Sequence, residues 1–255
     1  MALLTGSSDG LGFTMAECLA QAGCSVALNG LEAPDAVEAK RRDLAQRFGT
    51  RVTYNQADVS TLEGVATLVA DTQAALGPVG ILVNNAVVRH FAPIVRFDPA
   101  DWDKAIAVNL SAAFHAIRLT LPAMRGQDFG RIFNMTSVYG SRAAVDRVDY
   151  VTTKSALLGL TRAVALENLD RDVTCHAICP GSVLTPGTEG RVLDIMRQQN
   201  LDRAAAERLF LEGKQPSGRF VPSRSVTDLL LFLCGPVARD MTGAMLPVEG
   251  GWLAT

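Results

Sequence analysis

The chain has no hydrophobic run long enough to cross a membrane. Its longest apolar stretch, Leu229–Cys234, is six residues, against the roughly 20 that a spanning helix needs. It also lacks an excess of either charge. Lys plus Arg number 24 against 26 Asp plus Glu, a net −2, with no basic patch, which argues against a nucleic-acid partner. Cysteine is sparse and odd in number, at Cys18, Cys24, Cys175, Cys179 and Cys234, which does not suit a disulfide framework. Lysine is also scarce, with four residues against twenty arginines. There is no Pro/Gly-rich linker, internal repeat or low-complexity tract. Met1–Leu4 lead straight into a glycine loop, so no signal peptide and a cytoplasmic location are expected.

What is present is 48% hydrophobic sequence, enough to fill a globular core. Short apolar runs alternate with longer segments of i, i+3, i+4 apolar spacing. Strands are predicted at Ala2–Thr5, Ser25–Asn29, Val52–Gln56, Ile81–Asn84, Arg131–Met135, Thr174–Ile178 and Ala244–Val248. Helices are predicted at Gly12–Gln21, Pro34–Phe48, Leu62–Leu76, Ala100–Met124 and Tyr150–Leu169. Strand–helix alternation of this kind implies right-handed crossovers and an α/β, doubly wound parallel sheet of about seven strands. A single domain over 1–255 is expected. Thr185–Pro222 breaks the rhythm, with Pro186, Gly187, Gly190, Pro216 and Gly218 around a polar helical stretch, Leu193–Glu212. An excursion there, at about 186–222, suits a substrate cover; a plain surface insertion is the alternative.

Chemistry-bearing residues fall at strand ends. Gly6, Gly10 and Gly12, between the first strand and first helix, allow a tight turn and close approach of a pyrophosphate to the helix N-terminus. That is a Rossmann-type arrangement. Tyr150 and Lys154, spaced i to i+4, share one helix face. An ammonium beside a phenol stabilises the phenolate and makes tyrosine a usable base. Ser137 closes the fifth strand thirteen residues before Tyr150, at the sheet edge where a hydroxyl can hold a carbonyl. Cys175-His176…Cys179 lacks the spacing of a zinc site, and strand geometry turns Cys175 and His176 to opposite faces; no metal is expected.

With these elements on one chain, the sequence resembles the short-chain dehydrogenase/reductase family over its whole length. The matching residues are Thr5-Gly6-x3-Gly10-x-Gly12, Asp58-Val59, Asn84-Asn85-Ala86, Asn109, Ser137, Tyr150-x3-Lys154 and Pro180-Gly181-x-Val183-x-Thr185, with Val87 replacing a common glycine. The resemblance implies hydride transfer between a nicotinamide and an alcohol or ketone. It implies Tyr150 as acid/base, Ser137 on the reacting oxygen, Lys154 on the ribose and Asn109 anchoring a relay water. For the cofactor it implies Gly6, Ser8, Gly10, Leu11, Gly12, Asn29, Leu31, Asp58, Val59, Asn84, Ala86, Val183 and Thr185. No Arg or Lys occurs in Ser7–Asp9 or Asn29–Ala33, while Asp9 and Glu32 would repel a 2′-phosphate; NAD is the expected cofactor.

Within the family the chain resembles bacterial D-3-hydroxybutyrate dehydrogenases, through Leu28-Asn-Gly30, Asn109-Leu-Ser-Ala112, Ala177–Gly181, Lys214–Ser217 and Val248–Trp252. It departs from them at the positions implied to meet substrate. Arg89, Tyr139, Arg147, Ser182 and Arg191 stand where glutamine, histidine, lysine, tryptophan and a second glutamine are typical. Guanidiniums bind anions bidentately, so a larger or doubly charged hydroxy acid is one expectation. The other is that Arg89 and Arg191 pair with Asp146, Asp149 or Glu189, leaving Arg147 alone on a simple acid. A reductase of neutral ketones, and a non-catalytic dinucleotide-binding regulator, are the remaining readings. The regulator has no use for the full Asn109, Ser137, Tyr150 and Lys154 set. Leu157, Leu158, Leu160 and Val164 on the Tyr150 helix suggest an oligomer face, and similar proteins form homotetramers.

Overall fold

Strands buried on both faces need helices on both sides, and the first, second and fourth strands have no residue outside the core. A computed structural model describes residues 1–255. Its strands are β1 (Ala2–Leu4), β2 (Val26–Asn29), β3 (Val52–Asn55), β4 (Ile81–Asn84), β5 (Gly130–Met135), β6 (Val173–Pro180) and β7 (Met245–Val248). All pair in parallel, in the order β3-β2-β1-β4-β5-β6-β7. The helices are α1 (Gly10–Gln21), α2 (Pro34–Phe48), α3 (Leu62–Leu76), α4 (Pro99–Ile106), α5 (Ala112–Gly126), α6 (Val148–Leu166), α7 (Pro186–Gln199), α8 (Arg203–Leu211) and α9 (Ser223–Cys234).

The period-two alternation of a strand divides the core into two layers. Ala2, Leu4, Val26, Leu28, Ile81 and Val83 face Met15, Leu19, Leu44 and Leu230 of α1, α2 and α9. Leu3, Ala27, Leu82 and Ile132 face Val65, Leu68, Ala116, Ile117 and Val164 of α3, α5 and α6. The result is a single α/β domain with a doubly wound sheet. Its strand order reverses at β1, which opens a crevice between the carboxyl ends of β1 and β4, where such folds place ligands.

The segment predicted as one helix over Ala100–Met124 is instead α4 and α5 joined by a π-helical turn at Ala107–Ser111. End to end, Pro99–Gly126 has the length and apolar content of a membrane-spanning helix. Its apolar side, however, is taken up by the core, through Ala112, Ala116, Ile117 and Met124. The polar stretch predicted as one helix at Leu193–Glu212 lies within two, α7 and α8. They break at Asn200, which is left-handed (φ 51°), and Asp202 restarts the chain by accepting from the Ala205 amide at 2.7 Å. The pair packs around its own small core of Val192, Ala206, Phe210 and Leu211. Val183 and Val221 bridge at its base, so the segment leaves and rejoins the body at one point. Cys175, His176 and Cys179 lie buried on β6, with the His176 ring stacked on Phe133 at 5.9 Å.

Candidate active site

The crevice is built first by backbone. Thr5 follows β1 and its hydroxyl accepts from the Asn85 and Ala86 amides at 3.0 and 3.1 Å, while Asn85 Nδ2 donates to the Gly6 carbonyl at 2.7 Å. The loop after β1 is thereby laid against the loop after β4. Gly6 has φ +57°, and a Cβ on it would sit 2.8 Å from Ala86 Cα. A Cβ on Gly12 would overlap the Gly6 carbonyl. Only glycine fits either position, and the space they leave brings the start of α1 to the crevice as a cradle for an anionic group. Asp9 caps α1, accepting from the Gly10 amide at 2.7 Å. Its charge is met by Lys40, which stands 3.5 Å away and donates to the Ser8 carbonyl at 3.1 Å.

A cleft of about 690 Å³ runs from this loop across the carboxyl ends of the strands. Of the residues expected to hold a cofactor, Gly6, Ser8, Gly10, Leu11, Gly12, Asn29, Leu31, Asp58, Val59, Ala86, Val183 and Thr185 line it, as do Ser137, Tyr150 and Lys154. Asn84 does not. Its amide turns into the sheet and donates to Asn134 Oδ1 at 2.8 Å. Asn109 does not line the cleft either. It is buried in the π turn, where its side chain accepts from the Val88 amide (2.8 Å) and donates to the Val88 carbonyl (3.0 Å). That amide fixes the backbone just before Arg89 and presents no free polar group to the cleft.

Glu32 follows β2 and its carboxylate folds back over Gly30 beside the Ser8 hydroxyl, where a Cβ on Gly30 would collide with both. Glu32 lines the cleft while staying open to solvent.

Tyr150 lies in the first turn of α6, 5% exposed. Burial pushes its phenol up, but the Lys154 ammonium, the Arg89 guanidinium and the Ser137 hydroxyl outweigh that and hold it below the ordinary tyrosine range. Arg89 Nη2 is 3.5 Å from the phenol oxygen. Lys154 is 3% exposed and donates to the Met135 carbonyl at 2.6 Å. Burial, seconded by Arg89, keeps its ammonium below the usual lysine range, while Tyr150 opposes. A phenol poised to lose a proton beside a hydroxyl donor is the equipment of general acid–base chemistry.

Beyond Tyr150 the cleft is walled by Arg89, Tyr139, Arg147 and Arg191, all anticipated from sequence, and by Lys104, Phe210, Lys214 and Trp252, which were not. Lysine scarcity was the available signal: three of the four lysines line this cleft. His90 was also missed. Its Nδ1 is 3.0 Å from the fully buried Asp149, whose other oxygen accepts from the Tyr150 amide at 2.6 Å.

Residues 1–194 match the short chain dehydrogenase family. The chain belongs to the short-chain dehydrogenase/reductase family. It is 39% identical over 253 residues to the D-beta-hydroxybutyrate dehydrogenase of Cupriavidus necator, covering 99% of this chain and 97% of that one. It is 37% identical to the enzyme of the same name from Rhizobium meliloti, covering 99% and 98%. Among solved structures it resembles the L-sorbose reductase of Gluconobacter frateurii complexed with NADPH and L-sorbose, with a TM-score of 0.94 and 28% identity over 100% of this chain and 96% of that one. This short-chain dehydrogenase is therefore an oxidoreductase of nicotinamide-cofactor type.

Proposed function

We propose that this protein is an NAD-dependent dehydrogenase of a small hydroxy or oxo acid, built on the pattern of 3-hydroxybutyrate. The observation that carries the reading is the buried Tyr150 phenol, lowered by Lys154 and Arg89, at the junction between a glycine-lined arm of the cleft and a cationic one. The bound nicotinamide would supply the hydride acceptor. Tyr150 takes the hydroxyl proton of the alcohol, or returns it to the ketone, and Ser137 holds the reacting oxygen by a hydrogen bond. Lys154 keeps the phenolate accessible and addresses the ribose. The Asn109 side chain sets the loop that carries Arg89, so any relay water in this reading is held by its main chain.

Glu32 supports NAD, because a carboxylate at the β2 end accepts from a ribose hydroxyl and repels a 2′-phosphate. Lys40, which donates to the Ser8 carbonyl, is engaged by Asp9. Segment 186–222 serves as the substrate cover, rejoining the body at Val183–Val221. A cytoplasmic homotetramer completes the proposal. Five free cysteines suit a reducing compartment. Leu157 and Val164 pack inside the chain, so of the four apolar residues on that helix Leu158 and Leu160 keep surface for a partner, with Leu166 exposed further along it.

The test is the initial rate of reduced-cofactor formation from D-3-hydroxybutyrate and related acids with NAD and NADP, alongside neutral alcohols. Acid oxidation with NAD at least about tenfold better in kcat/KM is expected, a modest demand on one charged contact. Faster turnover with NADP overturns the cofactor assignment, and turnover of neutral alcohols alone overturns the substrate class.

A further inference from the structure

Besides the exposed Lys104, four cations meet at the Tyr150 end of the cleft without a counter-ion. Arg89, Arg147, Arg191 and Lys214 all line it, and none forms an ion pair. The acids that sequence offered as partners are engaged elsewhere or too distant. Asp149 is held by His90, Glu189 forks onto Arg203 at 2.7 and 2.8 Å, and Asp146 reaches none of the four. The acids that do line the cleft, Asp9, Glu32 and Asp58, belong to its glycine-loop arm.

What holds the cations in place is aromatic. Arg147 lies 4.5 Å from the Phe91 ring centre and 5.2 Å from Tyr139. Arg191 lies 5.7 Å from Phe91 and 5.3 Å from Phe210. Lys214 sits 4.1 Å over Phe210 and donates to its carbonyl at 2.5 Å. Ring faces orient guanidinium and ammonium groups but do not cancel their charge. The cluster repels itself: burial first, then Arg147 and Arg89, pull Arg191 below its ordinary range, and burial, Arg191 and Arg147 do the same to Lys214. A protein that gathers like charges in a cleft lowers its own stability unless an anion arrives to pair with them.

The four divide by position. Arg89 is at the phenol oxygen, 3.5 Å away. Arg147, Arg191 and Lys214 share the rings of Phe91 and Phe210 and come from the start of α6, from α7 and from the turn after α8. A lone carboxylate beside Arg89 would leave the other three unanswered. Resting on the dehydrogenase reading above, we infer that the substrate is a dianion: a hydroxy or oxo acid with one anionic group near Arg89 and a second, a carboxylate or sulfonate, clamped by Arg147, Arg191 and Lys214. The clamp joins α6 to the 186–222 segment, so the second anion draws the cover onto the body.

The test compares 3-hydroxybutyrate with malate, 3-hydroxyglutarate and 3-hydroxy-4-sulfobutyrate, with 3-hydroxyglutarate monoamide as a singly charged control of equal size. At least one dianion exceeds both monoanions in kcat/KM by about tenfold or more, as bidentate pairing to a second anion requires. Which dianion leads identifies the second group. Arg147→Gln, Arg191→Gln and Lys214→Gln each bring the dianion-to-monoanion ratio down toward one. A parallel titration of the same acids into the enzyme–NADH complex, followed by calorimetry, reads the clamp even where nothing is turned over. Absence of turnover with all the acids would overturn the dehydrogenase reading, and the clamp then stands or falls on that titration. Dianions that neither react faster nor bind tighter than the monoamide, or a ratio untouched by the three substitutions, overturn the inference.

Discussion

Tyr150 carries two opposed influences, and their balance sets a pH dependence. Burial favours the neutral phenol, while Lys154, Arg89 and Ser137 favour the phenolate and prevail. A base whose pKa is lowered is deprotonated at lower pH. Alcohol oxidation is therefore expected to rise with pH through an inflection below that of an ordinary tyrosine, and ketone reduction to fall through the same inflection. Lys154→Met removes the largest of the opposing charges and moves that inflection upward. Tyr150→Phe removes the proton acceptor altogether and costs on the order of 10²–10⁴ in kcat. Rate–pH profiles in both directions check this, and an inflection that stays in place in Lys154→Met contradicts it. Tyr150, Lys154 and Ser137 were legible in the sequence because an i, i+4 pair and a strand-end hydroxyl are local patterns. The influence of Arg89 on the phenol was not, since 61 residues separate the two.

At the level of elements, β5 begins with a charge inside the fold. Arg131 is 1% exposed, pairs with Asp172 at 2.9 Å and donates to the Gly130 and Asp172 carbonyls at 2.9 Å each. It ties the entry of β5 to the entry of β6. Arg131→Ala unpairs those carbonyls and leaves Asp172 only the exposed Arg239 at 4.0 Å, at a cost of about 3 kcal/mol, which lowers the melting temperature by roughly 10 °C. A melt within about 2 °C of the parent would mean that solvent replaces the pair. Most elements were readable: α2, α3 and β4 match their predicted bounds residue for residue. Two features were not. Apolar spacing runs unbroken through Ala107–Ser111, so nothing local marks the π turn, and what puts Asn109 there is its grip on Val88. The break at Asn200 likewise depends on α7 and α8 folding against each other around Val192 and Phe210. In the sequence α9 stands out only as the apolar run Leu229–Cys234, although Val226, Leu230 and Leu233 lie at helical spacing on its buried face.

Across the whole molecule a nearly neutral chain, net −2, is internally polarised. Asp9, Glu32 and Asp58 line one arm of the cleft, while Arg89, Lys104, Arg147, Arg191 and Lys214 line the other. This separation was invisible in composition, because it arises only when loops from β2, β4 and the 186–222 segment are folded onto one sheet edge. It bears on the coenzyme's reduction potential. An oxidised nicotinamide ring is cationic and a reduced one is neutral, so a ring placed beside Tyr150 faces the positive arm in one redox state only. With the substrate arm empty, NADH is expected to bind more tightly than NAD, each tenfold in that ratio corresponding to about 30 mV for a two-electron couple. Equal affinities by fluorescence and competition titration would contradict this. An anionic substrate cancels the field and with it the bias. The free enzyme is then expected to rest with the reduced cofactor, and the arrival of an anionic substrate to restore its capacity to hold the oxidised one.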